Sequence, residues 1–161
     1  MFWKMKIVCL CTVMLLVSTQ TYAANNELSF GTGIGALYSG LGINISLRGE
    51  SDFRFISAGC VELGYKTGPG WYSACGGGAG WIWSNILSKE SNKHGIGFYL
   101  GPVYSGGSDI DPETVYGAGI PYVYFLRGID EGGWNFGFTP ALGRHNGDTK
   151  GYLLLQAGYQ F

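Results

Sequence analysis

Leu153-Leu154-Leu155-Gln156-Ala157-Gly158-Tyr159-Gln160-Phe161 is the stretch that decides the fold. Counting back by twos, Phe161, Tyr159, Ala157, Leu155 and Leu153 form one apolar face. Gln160, Gly158 and Gln156 between them are polar or small, and only Leu154 breaks the pattern. Alternation with period two marks a strand whose faces meet different surroundings.

The same alternation recurs upstream. Leu28 to Tyr38 sets Leu28, Phe30, Thr32, Ile34, Ala36 and Tyr38 against Ser29, Gly31, Gly33 and Gly35. After a Ser39-Gly40 turn, Leu41, Ile43, Ile45 and Leu47 oppose Gly42, Asn44, Ser46 and Arg48. Phe53 to Lys66 alternates in its second half, and its irregular first half suggests a bulge. Trp71 to Ser84 is glycine-dense, so its faces are not assignable from sequence. Gly95 to Tyr104, Thr114 to Arg127, and the run from Trp134 to Leu142 complete the set before the last strand. Ser105 to Glu113 and Arg144 to Gly151 read as loops, and Asn85 to His94 as a long polar connection.

These segments make eight strands. Eight membrane strands of about 9–11 residues need roughly 72–88 residues, which leaves about 50 for connections and ends. Ten strands would leave under about five residues per connection. The bulky face is aliphatic and aromatic, and the other is glycine, serine and asparagine. A soluble barrel turns its large apolar residues inward, and glycines cannot fill such a core. Large aliphatics outside make sense when lipid is the solvent. The expected architecture is therefore all-β, an antiparallel up-and-down transmembrane barrel. Tyr38, Tyr65, Trp71, Trp81, Trp83, Tyr104, Tyr122, Tyr124, Trp134 and Tyr159 read as interfacial girdles.

The amino-terminal segment fits export. Lys4 and Lys6 precede an apolar run from Ile7 to Val17, too short to span a bilayer as a helix. Thr21-Tyr22-Ala23 offers a small-x-small cleavage site, so residues 1–23 read as a signal peptide and 24–161 as the barrel. Without Lys4 and Lys6, eight basic residues face eleven acids, a net charge of −3. That balance gives no reason to expect nucleic acid, which calls for a basic stripe. Cys9 and Cys11 leave with the signal, and Cys60 and Cys75 remain, either bridged in the oxidising compartment or free.

The alternating strands and the terminal aromatic Phe161 resemble the small bacterial outer-membrane β-barrels of the OmpA/OmpX type across residues 24–161. The resemblance implies an outer-membrane location among lipid and lipopolysaccharide, a monomer, and no cofactor. It also implies that the barrel assembly machinery reads the closing strand at Phe161, Tyr159, Ala157, Leu155 and Leu153, and that periplasmic chaperones escort the chain.

A charge facing lipid at mid-depth costs about 2–4 kcal/mol. Arg48, Arg54, Glu62, Lys66 and Arg127 are therefore expected inside, as a salt-bridged plug. Asp109, Asp111 and Glu113 have the oxygen chemistry of a weak cation site without EF-hand spacing. Gly31-Thr32-Gly33-Ile34-Gly35-Ala36 imitates a dinucleotide fingerprint, but no helix follows it. His145 and His94 are the two histidines, and no serine stands beside His145. With no catalytic constellation, the expectation is a non-enzymatic structural or surface-interaction protein acting through its loops. A small lipid A-modifying enzyme or a narrow solute conduit is the alternative.

Overall fold

The computed structural model describes residues 26–65, 71–87, 91–108 and 111–161. Residues 1–23, read above as a signal peptide, lie outside the described residues, as do Lys66 and Asp109. The strands are β1 (Glu27–Ile34), β2 (Leu41–Arg48), β3 (Asp52–Tyr65), β4 (Trp71–Trp83), β5 (His94–Ser108), β6 (Asp111–Gly119), β7 (Tyr122–Phe125), β8 (Gly133–His145) and β9 (Asp148–Gln160). All pair antiparallel. Their order, β4-β3-β2-β1-β9-β8, continues through β6 and β7 to β5, which pairs back to β4 and closes the ring.

Segments β6 and β7 share the same two neighbours, β5 and β8, and form one interrupted stave. The interruption falls at Pro121, which has no N–H to give a ladder. Local bonds bridge it instead, from Gly97 N–H to Pro121 O at 3.1 Å and from Ile120 N–H to Pro140 O at 3.0 Å. The result is an eight-stave, all-β, closed antiparallel barrel.

The period-two pattern sets the faces. Leu28, Ile43, Ile56, Leu142, Leu153 and Leu155 point outward and are 57–68 % exposed. Asn44, Ser46, Asn135, Thr139, Gln156 and Gln160 point inward and are buried. The other side of the lumen is apolar, packed with Phe53, Phe55, Ile82, Tyr99, Val123 and Phe125. A uniformly small inward face does not hold there: β3, β4, β5 and β7 carry bulky residues inward.

The end bearing Glu27 and Phe161 is here the base. At the opposite end three hairpins, β3–β4, β5–β6 and β8–β9, extend beyond the closed ring. Two stretches expected as loops prove to be their strand tips. The strands run to Ser108 and resume at Asp111, and they run to His145 and resume at Asp148.

The fourth hairpin goes the other way. Strand β1 ends at Ile34 rather than Tyr38, and Ala36–Tyr38 form a 3-10 turn that is wholly buried. Gly35 and Gly40 exchange both backbone bonds at 3.0 Å and close a four-residue loop directed into the lumen. Gly35, at φ 101 and ψ −165, takes a conformation essentially reserved for glycine. The glycines at 33 and 158 leave room for the Tyr38 ring, which an added Cβ at either position would strike. Tyr38 is thus a plug and not part of a girdle.

The expected charged interior also differs. Arg54 is exposed on the outer face near the base, 2.7 Å from Asp52 and stacked over Trp81 at 4.6 Å. Phe53 and Phe55 hold the adjacent inward positions, so the alternation sends Arg54 out, close to the rim rather than at mid-depth. Arg127 is exposed beyond the end of β7. Arg48 is buried, and Glu62 is half-buried opposite the buried Ala74. The plug is therefore built from an aromatic ring and amides instead of salt bridges.

Candidate functional site

Two halves of the lumen differ in filling. In the lower half the plug is fastened by side-chain amides. Asn135 Nδ2 donates to Tyr38 Oη at 2.7 Å, and Gln160 Nε2 lies 3.3 Å from the same oxygen. Asn44 Nδ2 donates to Leu37 O at 3.0 Å, and Leu37 N–H donates to Gln156 Oε1 at 3.4 Å. Gln156 Nε2 then reaches Asn135 Oδ1 at 3.2 Å. A buried polar network is worth having only when its members are satisfied, and each of these amides finds a partner. Tyr99 Oη, packed beside the plug, donates to Pro102 O at 3.1 Å.

The upper half is open. Above the plug lies a chamber of about 400 Å³ whose floor is Gly35 and Gly40. Val103 and Tyr104 line it across the lumen, and Leu154 lines its β9 side. Tyr104 stands opposite the buried Val115 and stacks on Tyr152 at 5.0 Å, so it turns into the upper lumen and is not part of a girdle.

The chamber opens sideways because β1–β2 is short. The β1–β9 ladder ends at Ile34–Ala157, and the β2–β3 ladder ends at Leu41–Cys60. Above those pairs, Cys60–Leu63 of β3 and Leu153–Leu155 of β9 flank a gap in the wall. Among the described residues, Glu62 is the one charged side chain lining it. Cys60 and Cys75, directly opposed on β3 and β4, are joined by a disulfide at the foot of the gap. The β3 bulge follows at once, between Cys60 and Glu62.

A second hollow sits at the base beside Arg48, Arg127, Glu27 and Glu131. Arg48 Nη2 donates to Phe161 O at 3.1 Å and lies 3.7 Å from Glu27. Ser29 Oγ donates to the same Phe161 oxygen at 3.0 Å. Phe161 is exposed, its ring edge-on to Tyr159, which in turn meets Trp134 edge-on. With Leu153, Leu155 and Ala157, these residues keep the outward register read from the sequence.

The candidate chemical groups do not converge. His94 Nδ1 lies 2.8 Å from Tyr122 Oη near the base, and His145 Nε2 lies 3.1 Å from Asn146 at the opposite end. Glu113 is exposed on β6, and among the described residues no three His, Cys, Asp or Glu side chains gather as metal ligands would. Gly31 and Gly33 lie within β1, followed by a 3-10 turn of three residues. The lateral chamber is the feature that sequence reading missed. Its signal was the run Ala36-Leu37-Tyr38 before Ser39-Gly40, three consecutive apolar residues where alternation should continue.

In comparison with known proteins, the chain matches no family model, no curated protein and no solved structure.

Proposed function

We propose that this chain is an integral outer-membrane β-barrel with a plugged interior, acting without catalysis through its surface and its exposed hairpins. On this reading residues 1–23 direct export, periplasmic chaperones and the barrel assembly machinery deliver the rest, and the protein works as a monomer among lipid and lipopolysaccharide. The observation that carries it is the exterior: large aliphatic side chains stand outward at 57–68 % exposure while amides and serines are buried. Each such side chain left in water forgoes about 1.5–3 kcal/mol of transfer free energy, and hydrocarbon as the outer solvent removes that penalty. The aromatic cluster Trp134, Tyr159 and Phe161 at the base suits the boundary between hydrocarbon and water. Axial transport is disfavoured because Ala36, Leu37 and Tyr38 fill the lower lumen.

The test is refolding. In detergent micelles or phospholipid vesicles the protein should give β-sheet circular dichroism and a band that shifts on boiling in gel electrophoresis. A protein that reaches the same fold in buffer without amphiphile would overturn the reading.

A further inference from the structure

Resting on that membrane reading, we propose that the lateral chamber is a binding site for the single acyl chain of an uncharged, hydroxyl-bearing amphiphile drawn sideways from the bilayer. The opening is continuous with the outer surface. Ile34, Leu41, Leu63, Leu153 and Leu155 around it are all exposed apolar side chains, so what meets the gap is hydrocarbon. The chamber's volume, about 400 Å³, falls within the range of small-molecule sites, roughly 300–1,000 Å³. Its depth reaches Val103 and Tyr104 on β5, across the lumen, further than a strand added to either edge would extend.

The head group follows from the rim. Above Ile34–Ala157 and Leu41–Cys60 the facing edges of β9 and β3 carry backbone groups without strand partners. In hydrocarbon such groups are costly unless they find hydrogen bonds. Hydroxyls and an ester carbonyl supply both donors and acceptors there. Glu62, the one charged side chain among the described residues that line the site, accepts from a hydroxyl and repels a carboxylate. The hydrocarbon tail merely exchanges one apolar surrounding for another, so selectivity lies with the head.

The experiment reconstitutes the whole mature barrel in phosphatidylcholine vesicles with a monoacylglycerol bearing a photoreactive diazirine in its chain. Labelled residues are then mapped by mass spectrometry. Labels should fall on Val103, Tyr104 and Leu154 as well as on outward positions such as Leu153 and Leu155, and excess unlabelled monoacylglycerol should remove the inward set alone. Leu154→Trp, or Val61→Trp should the first fail to fold, should abolish inward labelling and leave outward labelling intact. The corresponding fatty acid at pH 9 should label the chamber at least about fivefold less, one unit-charge repulsion at contact in water, and Glu62→Gln should remove that difference.

Labelling confined to outward positions in the wild type would overturn the proposal while leaving the membrane reading standing. Labelling nowhere would overturn both. A dimer trapped through β3 or β9 by an added bifunctional cross-linker, with no inward lipid label, would assign the gap to a second copy of the chain and overturn it as well.

Discussion

The β1–β2 and β8–β9 hairpins start from similar material and end in opposite places. The latter closes on Asn146-Gly147, both at positive φ (52 and 88), a two-residue turn matched to strand twist, with exposed side chains. The former closes on Ala36-Leu37-Tyr38-Ser39, with Ser39 at φ 55, and its three apolar residues are buried in the lumen. The difference is one of solvent. A polar tip can project from the barrel into water, whereas Leu37 and Tyr38 gain by turning into the barrel, where glycines and amides receive them. The same inward turn shortens the wall between β3 and β9, so plug and lateral gap are two consequences of one loop.

If the contrast is real, removing the plug side chain should do the most damage. Tyr38→Ala is expected to cost about 3–5 kcal/mol, the usual range for truncating a buried aromatic residue, and to strand Asn135 Nδ2 without its acceptor, while Gln160 Nε2 keeps only Asn44 Oδ1 at 3.2 Å. Urea unfolding in lipid vesicles measures it. A loss under about 1 kcal/mol would mean the lumen does not depend on its plug.

Gly35→Ala sharpens the same point on the backbone. The glycine-only conformation contributes about 1–3 kcal/mol of strain. The new methyl would also stand 2.6 Å from Leu155 O and 2.8 Å from Gln156 Cα, adding about 1–3 kcal/mol of overpacking. A loss of at least about 2 kcal/mol by the same assay is the expected outcome.

What could be read beforehand tracks how different the two sides of a strand are. In β2, outward-facing Leu41, Ile43, Ile45 and Leu47 against Asn44, Ser46 and Arg48 gave a clean period, and the structure keeps it. In β3, Phe53 and Phe55 point inward while Ile56 points outward. With both faces apolar the period fades, and the charge of Arg54 suggested the wrong side. Near the rim, Asp52 and the Trp81 face stabilise that guanidinium outside, and the mid-depth penalty does not apply. In β1 and just past its end the glycines at 33 and 35 mimic continued alternation, yet they are there to admit the Tyr38 ring and to bend the chain. The chamber is a space left by a shortened stretch of wall, so its one trace in the sequence is indirect: the apolar run Ala36-Leu37-Tyr38, which breaks the alternation where the chain turns inward.

The disulfide tests the hairpin that borders the gap. Cys60 is the last β3 residue with a β2 partner, so beyond it β3 depends on β4 alone. For a separation of 15 residues the bridge is worth about 3 kcal/mol. Replacing Cys60 and Cys75 together with alanine should lower stability by about that amount. Hydrogen exchange should rise first in the upper β3–β4 hairpin and leave β8–β9 unchanged. Uniform acceleration around the barrel would mean that the gap does not weaken its border locally.

The smallest effect belongs to the hairpin that projects outward. Gly147 sits at φ 88, as unsuited to an L side chain as Gly35, but a Cβ added there meets nothing within 4 Å. Gly147→Ala therefore isolates backbone strain from packing, and strain of this kind amounts to about 1–2 kcal/mol. The Asn146–Gly147 turn can relax toward solvent with its neighbours exposed, which pulls the expected loss to the lower end, near 1 kcal/mol. Gly35→Ala has no such freedom, because Leu155 O and Gln156 Cα belong to the adjoining strand. The measurement is the gap between the two variants in a single urea series in vesicles. A clear excess for Gly35 assigns the difference to what surrounds each turn. Equal losses would mean that conformation alone sets the cost, and that the inward hairpin is held no more tightly than the outward one.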